Sequence, residues 1–212
     1  MDDRSRKRIA RVRIHSGLPR QAPGSDKTTE ETVRRSPALP ESARLYRRFS
    51  NEYGYEFYLL RKSDIKIRRA IPEDAPQIAL LMAKSLRDSL PFLPVIHTAE
   101  EDLQYIKSKV LPNNQVFVAH NEQDQIVGFI AFDEEWVNLL YLLPEVMSLG
   151  IGSRLLNIAK AQRKRLLLWA FQKNEIARRF YLKHGFTIIS ETDGAHNEER
   201  EPDAQFEWIA PS

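Results

Sequence analysis

From Ile65 to Ile209 the hydrophobic positions recur at regular spacings, whereas from Met1 to about Arg48 they show no sustained period of 3.6 or 2. Ile65 and Ile67 alternate with Lys66 and Arg68, which predicts a short strand ending before Pro72. Glu73 and Asp74 then open an amphipathic helix with Ile78, Leu81, Met82 and Leu86 on one face, where acids favour the N-terminal dipole. Pro91 and Pro94 interrupt the chain. The capping box Thr98-Ala99-Glu100-Glu101 starts a second helix with Leu103, Ile106 and Val110 on one stripe, and Pro112-Asn113-Asn114 ends it. Gln115–His120, Gln125–Phe132 and Trp136–Leu143 read as three strands joined by short polar turns, hence antiparallel neighbours. Gly150-Ile151-Gly152 opens a helix that turns Ile151, Leu155, Ile158 and Ala159 inward. Leu166–Phe171 is a buried strand, Asn174–His184 a helix, and Phe186–Ser190 and Gln205–Ile209 are strands. The resulting order, β-α-α-β-β-β-α-β-α-β-β, is an α/β class with a mixed sheet.

Composition adds boundaries to this pattern. Residues 1–48 are rich in Arg, Lys, Ser, Thr and Pro, and a segment with so little apolar surface cannot offset a backbone ordering cost of about 1–2 kcal/mol per residue. It is expected to be a disordered basic extension; a mitochondrial presequence fits less well because Asp2 and Asp3 sit where such signals avoid acids. Tyr46, Phe49, Tyr53, Tyr55, Phe57 and Tyr58 concentrate aromatics ahead of the domain, so residues 49–64 read as a linker or docking segment, either packed on the surface or forming a short hairpin with Gly54 as its turn. The domain itself is residues 65–212.

The formal charge of +3 is unevenly distributed: Met1–Asp64 carries 15 basic and 9 acidic side chains, and Ile65–Ser212 carries 17 and 20. The basic character therefore belongs to the extension, and the domain is mildly acidic. The chain has no Cys, which excludes disulfide scaffolds, Cys-ligated zinc, iron–sulfur clusters and thiol catalysis. No wholly apolar run is longer than that of Leu166–Phe171, far short of the roughly 18–20 residues of a membrane helix, so a soluble, cytoplasmic protein is expected. His15, His97, His120, His184 and His196 show no compact metal-ligand spacing, and no metal is expected.

Two segments could carry chemistry. The first is the glycine pair at a helix start after the strand through Leu143. Amides at a helix N-terminus make an anion site, although a lone G-x-G reads equally well as a flexible lead-in to the helix. It lacks the G-x-G-x-x-G spacing of a dinucleotide turn and the G-K-[ST] of a P-loop. The second is Asn174–Phe186, a helix with Ala177, Phe180 and Tyr181 on one face and Gly185 as its C-terminal stop. A Tyr on an apolar helix face is ordinarily core; proximity to the glycine turn would make it a candidate catalyst.

Together, LLYLLPEVMSLGIGSRLL and LLLWAFQKNEIARRFYLKHGF resemble the acyl-coenzyme A motif and the Asn- and Tyr-bearing segment of the GCN5-related N-acetyltransferase (GNAT) superfamily, and the element order agrees over about residues 65–209. The resemblance implies a GNAT acyltransferase fold of about seven strands with flanking helices. It also implies transfer of acetyl from acetyl-CoA to a primary amine of a small molecule or protein. It places the coenzyme diphosphate on the amides of Leu149, Gly150, Ile151, Gly152 and Ser153. The pantetheine would lie along the backbone of Leu140–Leu143, with Leu140, Leu142 and Leu143 as contacts. Asn174 would also bind coenzyme, and Tyr181 would be the general acid that protonates the departing thiolate. Glu134 and Glu135, at the start of the central strand, are candidate general bases and otherwise a solvated turn; His97 and His120 are alternatives.

The chain departs from the family pattern at Met147 and Leu149, where a Gln or Arg and a basic residue are usual, and Arg154 or Arg178 could substitute. These departures keep a rival reading open, a catalytically weak or inactive GNAT-fold binding module; a second rival gives the basic tail a nucleic-acid role. The acidic stretch Glu191–Trp208 lies where the family lines its substrate cleft, and Glu198 and Glu199 could recognise a cationic amine. Nucleic acid and membrane are disfavoured as partners, and homodimer assembly is left open.

Overall fold

The computed structural model describes Phe49–Ser50, Glu56–Phe57 and residues 64–211. Phe49–Ser50 (β1) pairs antiparallel with Glu56–Phe57 (β2), in a compact unit separate from the domain described below. The expected hairpin is thus present as a strand pair, while its turn at Gly54 and the basic extension lie outside the described residues.

In the domain the element order follows the hydrophobic pattern: β3 (Lys66–Arg69), α1 (Ala75–Ser89), α2 (Ala99–Tyr105), β4 (Gln115–His120), β5 (Ile126–Phe132), β6 (Val137–Leu142), α3 (Ile151–Gln162), β7 (Arg165–Phe171), α4 (Glu175–Lys183), β8 (Thr187–Thr192) and β9 (Asp203–Ile209). The capping box forms as the spacing predicts, with Thr98 Oγ1 accepting from Glu101 N at 3.2 Å and Glu101 Oε2 accepting from Thr98 N at 2.8 Å. The same helix continues through a π-helical stretch, Ile106–Val110, to Leu111–Asn113. Asp74 takes a more specific part than dipole compensation. Its carboxylate receives both guanidinium nitrogens of Arg68, at 2.7 and 2.9 Å, and the Ile71 amide at 2.9 Å. Burial opposes ionisation of Asp74, but these bonds and the Arg68 charge outweigh it and hold the carboxyl below its usual range.

Seven strands are present in the domain, divided into a four-stranded sheet of order β3-β4-β5-β6 and a three-stranded sheet of order β7-β9-β8. Every ladder within them is antiparallel. The sheets meet through one parallel bridge, Trp136 to Leu167, supported by a 2.7 Å bond from Leu167 N to Glu135 O. β5 is buried along its whole length, because helices cover both faces of its sheet. Phe129, Ala131, Leu139 and Tyr141 belong to the core that α1 and α2 cover. Leu142, one position out of phase with Tyr141, meets α3 on the other face.

A bulge sets the course of β6. Ala131 pairs with Leu139 and Phe132 with Val137, so Asn138 has no cross-strand partner. Its side-chain amide donates to Asn114 Oδ1 and Asp133 Oδ2, both at 2.8 Å, which pins the extra residue in place. A bulge bends the strand that carries it and increases its twist. Here it falls two residues after the Trp136–Leu167 bridge. Asn138→Ala should lower stability by about 1–2 kcal/mol in urea unfolding, the cost of leaving its two acceptors without this donor; an unchanged unfolding midpoint would show that the bulge is held by other contacts.

Candidate functional site

Because β6 ends one sheet and β7 ends the other, two strand edges face each other beyond the single bridge. Ordinary sheet edges are guarded by charge or short length. This β6 edge instead carries Leu139, Leu140, Tyr141 and Leu142, all buried with at most 3% exposure. Backbone groups on such an edge suit an extended ligand that supplies the missing strand partner.

At the open end of β6 the chain passes Pro144–Val146, a 3₁₀ turn, and reverses into α3. Gly150 sits at the N-cap with φ +75°, a left-handed conformation that side chains with a Cβ rarely adopt. Gly152 is needed for a different reason: a Cβ there would stand 3.1 Å from Leu142 Cδ1 and 3.5 Å from the Phe180 ring. The first helical bond recorded at this end is Arg154 N to Gly150 O at 3.1 Å. The amides of Ile151, Gly152 and Ser153 therefore precede the helix's own i−4 ladder and, with the dipole, favour an anion. Leu140 and Leu142 thus lie on the open edge and Gly150, Ile151, Gly152 and Ser153 around the turn, whereas the expected amides of Leu143 and Leu149 are already taken, by Val127 O at 2.8 Å and Val146 O at 3.3 Å.

α4 packs beside that turn through Phe180, whose ring lies against Gly152. Asn174 is its N-cap, 6% exposed, with Oδ1 accepting from Ala177 N at 3.1 Å, so this side chain fixes the start of the helix. Tyr181 is fully buried among Phe180, Phe186 and Phe206, with ring centroids 5.3–5.6 Å away. Its hydroxyl has no hydrogen-bond partner among the described residues. Burial pushes its pKa well above the ordinary phenol value, and Tyr141 on β6 adds to the shift. An orphaned buried hydroxyl costs about 1–3 kcal/mol, and such a cost calls for an explanation in function.

The remaining candidates are spread more widely. Glu134 and Glu135 are exposed at the opposite end of β6 from the glycine turn, where the two sheets close together. Glu135 lies 3.6 Å from Arg165. His120 is the last residue of β4, bonded to Asn121 O and paired with Asp124, both at 3.1 Å. Arg154 and Arg178 are both engaged: Arg154 donates to Ile65 O at 2.9 Å, and Arg178 to Glu191 at 3.2 Å and to Gln172 O at 3.4 Å.

A groove of about 220 Å³ opens where the α1–α2 connection faces the loop between β8 and β9. Leu90, Leu93, Pro94 and Ile96 give it apolar walls, and Asp102 and Glu199, 7% and 6% exposed, bring carboxylates to it. His97 reaches across to Glu198 at 3.1 Å and ties the two segments together. Phe92 sits edge-on to Phe171 at the end of β7, which seats the α1–α2 connection there. In the sequence LPFLPVIH stands out only as an interruption; the signal in it is an apolar run that proline keeps from becoming a helix. Among the described residues no helix is long and apolar enough to cross a membrane, and no group of three or more His, Cys, Asp or Glu is arranged to hold a metal ion.

The sequence model of the acetyltransferase (GNAT) domain matches residues 112–188, a span that begins before β4 and ends in β8, taking in both the glycine turn and the tyrosine helix. The peptidyl-lysine N-acetyltransferase YjaB of Salmonella typhimurium LT2 is 30% identical over 129 residues, which cover 61% of this chain and 88% of that protein. Among solved structures, the solution structure of apo YjaB from Escherichia coli aligns with TM-score 0.58 and 26% identity over 69% of this chain and 99% of its own. The Thermoplasma acidophilum PaiA N-acetyltransferase, solved in complex with coenzyme A, shares the fold at TM-score 0.55 and 23% identity, over 69% of this chain and 99% of its own. The split sheets, glycine turn and tyrosine helix thus lie within a segment shared with acetyltransferases nearly end to end, and the chain belongs to the GNAT family of N-acetyltransferases.

Proposed function

We propose that this enzyme transfers the acetyl group of acetyl-CoA to the side-chain amine of a peptide lysine by direct attack, with Tyr181 protonating the departing thiolate. The observation that carries the reading is the Tyr181 hydroxyl, buried and without a partner beside the split between β6 and β7. The coenzyme A-bound fold neighbour and the two lysine acetyltransferase relatives support the choice of donor and acceptor.

The residues present fit the donor. The amides of Gly150–Ser153 and the α3 dipole receive the diphosphate, and the outward backbone groups of Leu140 and Leu142 receive the pantetheine as an added strand. Asn174 contributes by fixing the start of the helix that carries Tyr181. Once the amine nitrogen attacks the thioester carbonyl and the C–S bond breaks, the sulfur needs a proton. In water a thiol near 8.5 and a phenol near 10 differ by about 2 kcal/mol in proton affinity. Burial raises the Tyr181 value and so keeps the phenol protonated until the thiolate forms beside it. Before attack the lysine ammonium must lose its own proton. That proton passes through water to Glu134 or Glu135, and comparing turnover in the two single Gln variants identifies which.

The acceptor segment lies in the groove between the α1–α2 connection and the β8–β9 loop. Its apolar walls accommodate neighbouring side chains, while Asp102 and Glu199 on the wall, with Glu198 next to Glu199 in the chain, outnumber Arg87 on the same wall and attract a cationic peptide. The net negative charge of the domain favours the same partner.

Tyr181→Phe should lower kcat by about 10²–10³-fold while changing the KM for acetyl-CoA little, as for removal of a group that acts mainly in the transition state. The variant should melt no lower than the parent, because it deletes an unsatisfied polar atom from the core. Unchanged turnover would remove Tyr181 from the mechanism. Neutralising Glu198 and Glu199 together as Gln should raise the KM for a lysine peptide about tenfold and leave the KM for acetyl-CoA in place; an unaltered peptide KM would take these carboxylates out of substrate recognition.

A further inference from the structure

The coenzyme turn has no cationic side chain at Met147 or Leu149, and the two nearby arginines are committed to Ile65, Gln172 and Glu191. Ser153 is the remaining hydrogen-bonding side chain in the first turn of α3. Its Oγ lies 2.9 Å from His184 Nε2, and His184 Nδ1 lies 2.7 Å from Phe180 O. A carbonyl oxygen only accepts, so Nδ1 carries a proton and Nε2 of the neutral ring is an acceptor. The Ser153 hydroxyl must then donate to the ring. What it offers an arriving phosphate is lone pairs, and two acceptors repel.

A second proton on the ring reverses this arrangement. Nε2–H donates to Ser153 Oγ, and the Ser153 hydroxyl is released to donate to a phosphate oxygen. The imidazolium charge then stands one hydroxyl away from the anion, in the place of the cation missing from the turn. We propose that His184 is a positioning residue for the coenzyme diphosphate, acting through Ser153, and that binding of acetyl-CoA is linked to uptake of a proton by His184. This rests on the acetyl-CoA reading above. The balance is simple: one proton passes from solvent to Nε2, the hydroxyl proton turns from Nε2 to a phosphate oxygen, and no covalent bond is made or broken.

The groups around the ring agree with a charge supplied on binding. On α3, Lys160 donates to His184 O at 2.6 Å while its ammonium lies 4.4 Å from the Trp208 ring of β9; on α4, Lys183 precedes His184 in the chain. The Phe180 ring lies tilted by 40° to the imidazole, with the two centroids 4.2 Å apart. Among the described residues His184 forms no ion pair with a carboxylate that would already satisfy a protonated ring. Phe180 also touches Gly152 and Tyr181, so the same contacts join the phosphate turn to the helix that bears the proposed acid.

The test is isothermal titration of the full chain with acetyl-CoA at several pH values between 6 and 8.5, in buffers of different ionisation enthalpy. The parent should take up more protons than His184→Gln, the difference approaching about one proton per coenzyme, and its affinity should fall by up to about tenfold per pH unit as pH rises. The variant should lose this excess uptake and its share of the pH dependence. Ser153→Ala should do the same without altering the end of α4, which guards against a folding defect in His184→Gln. S-acetylpantetheine, which lacks the diphosphate, should bind without any difference between parent and variants. Equal proton uptake by parent and both variants, with acetyl-CoA bound, would overturn this inference alone. Absence of acetyl-CoA binding by the parent would overturn the donor assignment and this inference with it.

Discussion

The domain depends on one place where two parallel strands stop pairing. β6 and β7 touch at Trp136 and Leu167, and the bulged residue Asn138 turns β6 away immediately afterwards. Had the ladder continued, the outward backbone groups of Leu140 and Leu142 would have been satisfied by β7, and no extended ligand could enter. The bulge is therefore held by designated side chains, with Asn114 and Asp133 both accepting from Asn138. Asp133 uses its other carboxylate oxygen to accept from Glu135 N and Trp136 N at 2.9 and 2.8 Å, so one residue braces both the bulge and the bridge.

The rest of the site is arranged around that split. The strand that diverges ends in a turn where Gly150 takes a left-handed conformation and Gly152 lets α3 close onto Leu142 and Phe180. α4 lies alongside and leaves one buried hydroxyl without a partner. Open backbone edges and an orphaned phenol each cost stability, and a chain selected for stability alone would have closed both. Their concentration in one region connects the geometry of the fold to the chemistry of acetyl transfer.

Much of this was legible along the chain because it rests on local rules. The capping box at Thr98, the strands Gln115–His120 and Gln125–Phe132, the helix start at Gly150 and the stop at Gly185 each need only neighbouring residues to form. The division of seven strands into four and three was not legible, since it turns on Asn138 within an otherwise ordinary apolar strand and on partners at Asn114 and Asp133. Long-range pairing also hid the Ser153–His184 bond, which joins residues 31 positions apart. The groove was missed for a related reason: Glu199 meets the α1–α2 connection only after the β8–β9 loop has folded back. Arg154 and Arg178 are reasonable substitutes for the missing cation by spacing, and their actual acceptors are Ile65 just before β3, Gln172 just after β7 and Glu191 in β8.

The central claim is that the open edge of β6 is a binding edge, and amide hydrogen exchange tests it without reference to turnover. Saturating acetyl-CoA should slow exchange at Leu140 and Leu142, whose amides are directed away from β5 and gain an acceptor, as well as in Ile151–Ser153 at the start of α3. Protection confined to the α3 turn, with β6 exchanging as it does in the free protein, would contradict the claim that the split between the two sheets holds the pantetheine arm.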